Sequence, residues 1–83
     1  RQAATTRLAE EVDLMLVVGG RNSANTKRLR TLCEERGVRV HHVETAAELE
    51  PDWFEGVGTV GITGGASTPD WIIREVEERL RQL

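Results

Sequence analysis

The sequence predicts an α/β fold: a small three-layer αβα domain around a parallel sheet of three or four strands, in the order 2-1-3. Three observations carry this. The apolar run 14–18 is too short for a helix and the right length for a strand, and the valine-bearing stretches 38–43 and 57–62 read as two more strands. Between and around them, apolar residues recur at spacings of three and four, the helical period. Strands that alternate with helices pair in parallel through right-handed crossovers. A chain of 83 residues leaves room for one domain, 1–83.

Residues 1–11 place Ala3, Ala4 and Leu8, followed by Val12, on a helical pattern with Arg and Glu between them. Asp13 introduces the run 14–18, a continuous apolar stretch suited to a strand buried on both faces. A helix is expected over 26–36, with Leu29, Leu32 and Cys33 on its apolar stripe and Gly37 placed to end it. Residues 38–43 mix three valines with Arg39, His41 and His42, which fits a strand near the sheet edge. Thr45 is placed to cap a short helical turn over 45–49, and Pro51 to open another that Trp53 and Phe54 pack down. The third strand, 57–62, is weakened by Gly58 and Gly61. A last helix, 69–81, carries Ile72, Ile73, Val76, Leu80 and Leu83 on one face and Arg74, Glu75, Glu77, Glu78 and Arg81 on the other.

The chain is organised around Val17-Val18-Gly19-Gly20-Arg21-Asn22-Ser23-Ala24-Asn25-Thr26, an apolar run broken by two glycines and followed by hydroxyl and amide side chains at a helix start. Such an arrangement holds phosphate: glycines let the backbone come close, and N–H groups with the positive end of the helix dipole face the anion. An ordinary strand-to-helix turn with a Ser or Asn cap is the competing reading. Val60-Gly61-Ile62-Thr63-Gly64-Gly65-Ala66-Ser67-Thr68-Pro69-Asp70 repeats the logic, with Thr68 as N-cap, Pro69 at the first helical position and Asp70 complementing the dipole. In the order 2-1-3 both turns lie at the carboxyl ends of strands one and three, where the winding reverses and α/β ligands bind. Two such turns indicate one anion held from two sides by Ser23, Asn25 and Ser67. Asn22, Thr68 and the backbone of Ala24 are secondary contacts.

The bulk properties exclude several classes. A net charge of −3 with acids and bases interleaved argues against a nucleic-acid surface. Arg21, Lys27, Arg28 and Arg30 come nearest to a basic cluster, and Arg28 and Arg30 read as a solvated helix face. One cysteine, Cys33, allows no internal disulfide and fits a reducing compartment. No apolar run approaches the ~18 residues of a membrane span and no signal peptide is visible, so no membrane partner and a cytoplasmic location are expected. His41 and His42 are adjacent on a strand and point to opposite faces, so they cannot converge on one metal. Cys33 reads as core, and Trp53 and Trp71 as core or interface residues. No nucleophile–base pair or paired carboxylates are present, so no catalytic residue is assigned.

Taken together, the two polar turns, the opening Arg1-Gln2 and the closing Trp71 resemble the C-terminal part of the LytB/IspH family of 4-hydroxy-3-methylbut-2-enyl diphosphate reductases. The similarity covers essentially all 83 residues. Family members often have Ser where this chain has Gly20 and Ala24, and Ala where it has Gly64; the missing hydroxyl at Ala24 removes one diphosphate contact. The resemblance implies three similar α/β domains around an iron–sulfur (4Fe-4S) cluster held by three cysteines. It implies reductive removal of the substrate's allylic hydroxyl, giving isopentenyl and dimethylallyl diphosphate. Carried over residue by residue, its diphosphate contacts are Ser23, Asn25 and Ser67. The cluster cysteines, an acidic proton donor and substrate-binding histidines are implied upstream of Arg1, so this chain supplies no metal ligand.

The chain, which begins at Arg1 without a Met, is therefore expected to be the C-terminal portion of a larger three-domain enzyme and inactive alone. Its partners would be a small-molecule diphosphate, the remaining domains, and an electron donor such as ferredoxin or flavodoxin acting on the whole enzyme. Self-association of the isolated domain would cover surface its neighbours otherwise bury. Two rivals stand beside this reading. A flavodoxin-like phosphate- or flavin-binding domain would need a stacking aromatic near the site, and the chain has no Tyr. A non-enzymatic α/β interaction module would make both turns ordinary capped helices.

Overall fold

The computed structural model of the chain describes residues 7, 10–65 and 67–83. The helix expected over 1–11 lies outside the described residues except for Arg7, Glu10 and Glu11, which are helical. Three strands form one parallel sheet: β1 (Leu14–Val18) at the centre, β2 (Arg39–Val43) on one side and β3 (Val60–Gly64) on the other. The order is β2-β1-β3, the expected 2-1-3.

β1 is apolar at every position because both of its faces are covered, and all five of its residues have 0% exposure. Its alternation sends Leu14, Leu16 and Val18 to one face, where they meet Val43, Leu49 and Val76. Met15 points to the other face, beside Cys33, Val12, Val38 and Val40. Helix α1 (Ala24–Glu35) brings Leu29 and Cys33 into the interior. Helix α2 (Asp70–Gln82) covers the opposite face with Ile72, Ile73, Val76 and Leu80. Burying such side chains contributes roughly 1.5–3 kcal/mol each. The result is three layers, helix on sheet on helix.

Boundaries depart from the sequence reading where a side chain takes over from propensity. β3 starts at Val60, not at 57. One Asp13 carboxylate oxygen accepts from Gly58 N at 3.0 Å and Thr59 N at 3.2 Å, which binds this stretch as a loop rather than a ladder. α1 starts at Ala24 rather than at 26, because Ser23 caps it. It ends at Glu35, with Gly37 at φ +79° donating to Glu34 O at 3.0 Å. α2 starts at Asp70, with Pro69 at its N-cap rather than inside the helix. Leu83 lies past the end of α2 and is 45% exposed, so it leaves the packed face. The connection from β2 to β3 folds into 3₁₀ turns at Ala46–Glu48 and Pro51–Phe54.

Candidate functional site

The register aligns the carboxyl ends of the strands: Val18 lies beside Val43 and Gly64. The next residues continue the ladder, with Gly19 N donating to Val43 O at 3.0 Å and Gly65 N to Val18 O at 3.1 Å. Both glycine turns therefore leave the sheet side by side, at the point where the winding reverses. A Cβ on Gly19 would overlap Thr26 Oγ1 and lie 3.0 Å from Thr68 Oγ1. A Cβ on Gly65 would lie 2.5 Å from the same Thr26 Oγ1. Glycine is required at both positions because one threonine side chain fills the space between them.

Of the expected contact residues, Ser67 and Thr68 line the cleft at these strand ends, and Ser23, Asn25 and Asn22 do not. Ser23 is the N-cap of α1, and its Oγ accepts from Thr26 N at 3.2 Å. A hydroxyl that accepts in this way keeps its own proton to donate. The cap thus leaves the Ser23 hydroxyl proton free of the Thr26 bond. Ala24 opens the helix, and the first amides of a helix have no intrahelical partner. Asn25 is half-buried, with Oδ1 3.4 Å from where a Gly65 Cβ would sit, so it leans across onto the second turn. Asn22 is exposed. Ser67 is exposed and lines a cleft of about 270 Å³ together with Gly19, Gly20, Glu44, Thr45 and Thr68.

Thr68 is a correction. It does not cap α2; its hydroxyl donates to Val18 O at 2.9 Å and clips the second turn onto the central strand. That proton is no longer available for an anion. Sequence reasoning also missed Thr26. Its side chain is fully buried, and Oγ1 has no hydrogen-bond partner among the described residues. A buried hydroxyl left in this state costs about 1–3 kcal/mol. A polar residue in the first turn of an amphipathic helix gives no sign of burial.

Electrostatically the two helix starts differ. The first turn of α1 contains no acid, whereas α2 has Asp70 there. The positive end of α1 is therefore open to an anion and that of α2 is already complemented. Arg21 is drawn away: its guanidinium pairs with both Glu44 and Glu48, and its N donates to Glu44 Oε2 at 3.3 Å. Partial burial pushes the Glu48 carboxyl up. Arg21 and the amides of Glu44 (2.9 Å) and Thr45 (3.2 Å) outweigh this and hold it below the usual carboxylate value. Arg30 pairs with Glu34 at 3.4 Å. Arg21 and Arg30 are thus paired to acids, while the first-turn amides and dipole of α1 face no acid of their own helix.

Both histidines make structural contacts. His42 Nε2 lies 2.8 Å from Gly19 O, and since a carbonyl only accepts, Nε2 carries the proton. His41 stacks on Trp53 with centroids 4.0 Å apart and planes 6° from parallel. Burial and the nearby Arg39 and Arg30 lower its basicity. A larger hollow of about 620 Å³ lies on this flank, lined by Lys27, Arg30, His41, His42 and Trp53 among others; Ser23, Asn25 and Ser67 do not line it. Trp71 is 61% exposed and lies outside the core. Among the described residues, no group of three His, Cys, Asp or Glu is placed to hold a metal ion. Cys33 is buried against the sheet, and burial raises its thiol pKa. The residues described do not fit an iron–sulfur cluster. No described helix is long and apolar enough to cross a membrane.

Fold and crevice together define an α/β domain with two glycine turns converging at the switch point of a parallel sheet. The chain matches the LytB protein family over residues 1–81, and it belongs to that family. It is 60% identical over all of its residues to the 4-hydroxy-3-methylbut-2-enyl diphosphate reductase of Pelobacter propionicus, covering 30% of that protein. With the Aquifex aeolicus reductase it shares 51% identity and covers 29%. A solved structure of (E)-4-hydroxy-3-methyl-but-2-enyl diphosphate reductase, the terminal enzyme of the non-mevalonate pathway, superposes on the whole chain. The TM-score is 0.97 at 51% identity, over 30% of that structure. The corresponding Plasmodium falciparum reductase gives a TM-score of 0.85 at 28% identity, over 99% of this chain and 25% of that one. The chain thus spans about 30% of the length of the curated relatives it matches.

Proposed function

We propose that this chain is the diphosphate-binding part of a 4-hydroxy-3-methylbut-2-enyl diphosphate reductase, folded as one α/β domain of a larger enzyme. The observation that carries the reading is the convergence of two glycine turns at the aligned ends of β1 and β3, in a chain of the LytB family. Ser23 and the first amides of α1 hold the anion from one side, the dipole of α1 adding to their donors. Ser67 holds it from the other side, and Asn25 bridges the two turns. Asn22 is a secondary contact. Charge-assisted bonds of this kind contribute roughly 1.5–3 kcal/mol each.

The substrate's hydrocarbon end extends away from this clamp toward the rest of the enzyme. An iron–sulfur cluster held by the rest of the enzyme would supply the redox chemistry there, removal of the allylic hydroxyl as water taking two electrons and two protons. The remaining domains, and a donor such as ferredoxin or flavodoxin, belong to that larger assembly in the cytoplasm. This chain's residues bind and orient. In the full-length enzyme, Asn25→Ala and Ser67→Ala should each raise KM about tenfold or more. They should also lower kcat, because a displaced diphosphate misplaces the reacting carbon. Unchanged kinetics in both variants would overturn the assignment.

A further inference from the structure

We infer that Thr26 is a positioning residue that sets the spacing between the two anion-holding turns; the inference rests on the diphosphate reading above. Three observations meet at this side chain. It is fully buried beneath the crevice, in the first turn of α1. Its Oγ1 has no hydrogen-bond partner among the described residues. That same atom fills the space a Cβ would need at Gly19 in the first turn and at Gly65 in the second.

One oxygen is thus the common floor of both turns. It occupies the positions that a side chain on either glycine would need. The hydroxyl serves through its size. Oxygen is slimmer than a methyl group, so valine, the usual isostere of threonine, forces the turns apart. Alanine leaves a gap into which they can sag. Either change alters the distance from Ser23 and Asn25 to Ser67 without touching any of the three. Packed interiors transmit such displacements rather than absorb them.

The test uses the full-length enzyme that carries this chain, with KM for the diphosphate substrate, affinity for inorganic pyrophosphate and the thermal midpoint all measured. Thr26→Val and Thr26→Ala should each raise KM and weaken pyrophosphate binding roughly tenfold. Thr26→Ser keeps the oxygen and should restore both toward wild type. Gly65→Ala should weaken binding as well, and the Thr26→Ala/Gly65→Ala pair should be less impaired than the sum of its parts, because the new methyl refills the vacated space.

Variants that lose thermal stability while KM and pyrophosphate affinity stay at wild type would make Thr26 a packing residue only and overturn the inference. So would Thr26→Ser behaving like Thr26→Ala. Should Thr26→Val not fold, the contrast between the alanine and serine variants decides. If Ser67→Ala and Asn25→Ala raise KM while the Thr26 series does not, the inference alone falls. If none of them raises it, the diphosphate reading itself falls.

Discussion

The two glycine turns look alike as sequence and differ as structures. In the turn after β1, the serine caps its helix, no acid occupies the first helical turn, and the positive end of α1 is left uncomplemented. In the turn after β3, Pro69 stands at the N-cap without a side-chain bond and Asp70 occupies the dipole. There Thr68 ties the backbone to β1. The first turn offers field and amides; the second offers one exposed hydroxyl, Ser67, on a fixed backbone. A helix start preceded by glycines and hydroxyls is therefore an anion site only insofar as its own cap and first-turn charge leave it open.

The steepest test of this contrast lies under the turns. Gly19→Ala brings a methyl onto Thr26 Oγ1 and to 3.0 Å from Thr68 Oγ1, both held in place, and should cost roughly 1–3 kcal/mol of stability, read as a drop in denaturation midpoint. Its neighbour makes the control: at Gly20 the nearest atom to a new Cβ is Glu44 Oε2 at 3.9 Å, so Gly20→Ala should be close to neutral. Equal losses at the two positions would show that Thr26 is not the constraint.

The serines separate the roles of the turns. Ser23→Ala removes a helix cap, which costs about 1 kcal/mol, and should weaken pyrophosphate binding as well. Ser67 lines the cleft and caps nothing, so Ser67→Ala should weaken binding with the thermal midpoint unchanged. Paired unfolding and calorimetric titrations read both quantities. A stability loss at Ser67 matching that at Ser23 would erase the difference between the turns.

The smallest effects come from charge. Asn25→Asp adds an acid to the open first turn of α1, a change that stabilises helices by about 0.3–1 kcal/mol, yet it should repel a bound anion. Asp70→Asn removes the acid already present on α2 and should cost a similar amount of stability with binding retained or slightly tightened. The two substitutions should therefore move stability and affinity in opposite directions. If both properties move together, the dipole of α1 is not what attracts the anion.

The two turns of the candidate site were legible in the sequence because turn chemistry is local. The glycine pairs, the hydroxyls after them and the apolar runs before them mark both strand-to-helix turns, and a central all-apolar strand between two others gives 2-1-3. What was misread depends on contacts between residues far apart in sequence. Thr68 reads as a cap because it precedes Pro69, but Val18 O, fifty positions earlier, claims its proton. The third strand reads as beginning at 57, but Asp13 binds Gly58 and Thr59 into a loop. Arg21 reads as a cation beside the first turn, but Glu44 and Glu48 reach back across the sheet edge to neutralise it.

The sequence by itself determined the α/β class, the strand order and the two turns, since these follow from hydrophobic period and from the backbone freedom of glycine. Only the tertiary structure decided that Thr26 lies beneath both turns, that Gly19 and Gly65 must both lack a side chain, and that the two helix starts are electrically unlike. Those facts depend on which side chains meet across aligned strand ends. Such meetings are set by register and packing, and no local pattern along the chain records them.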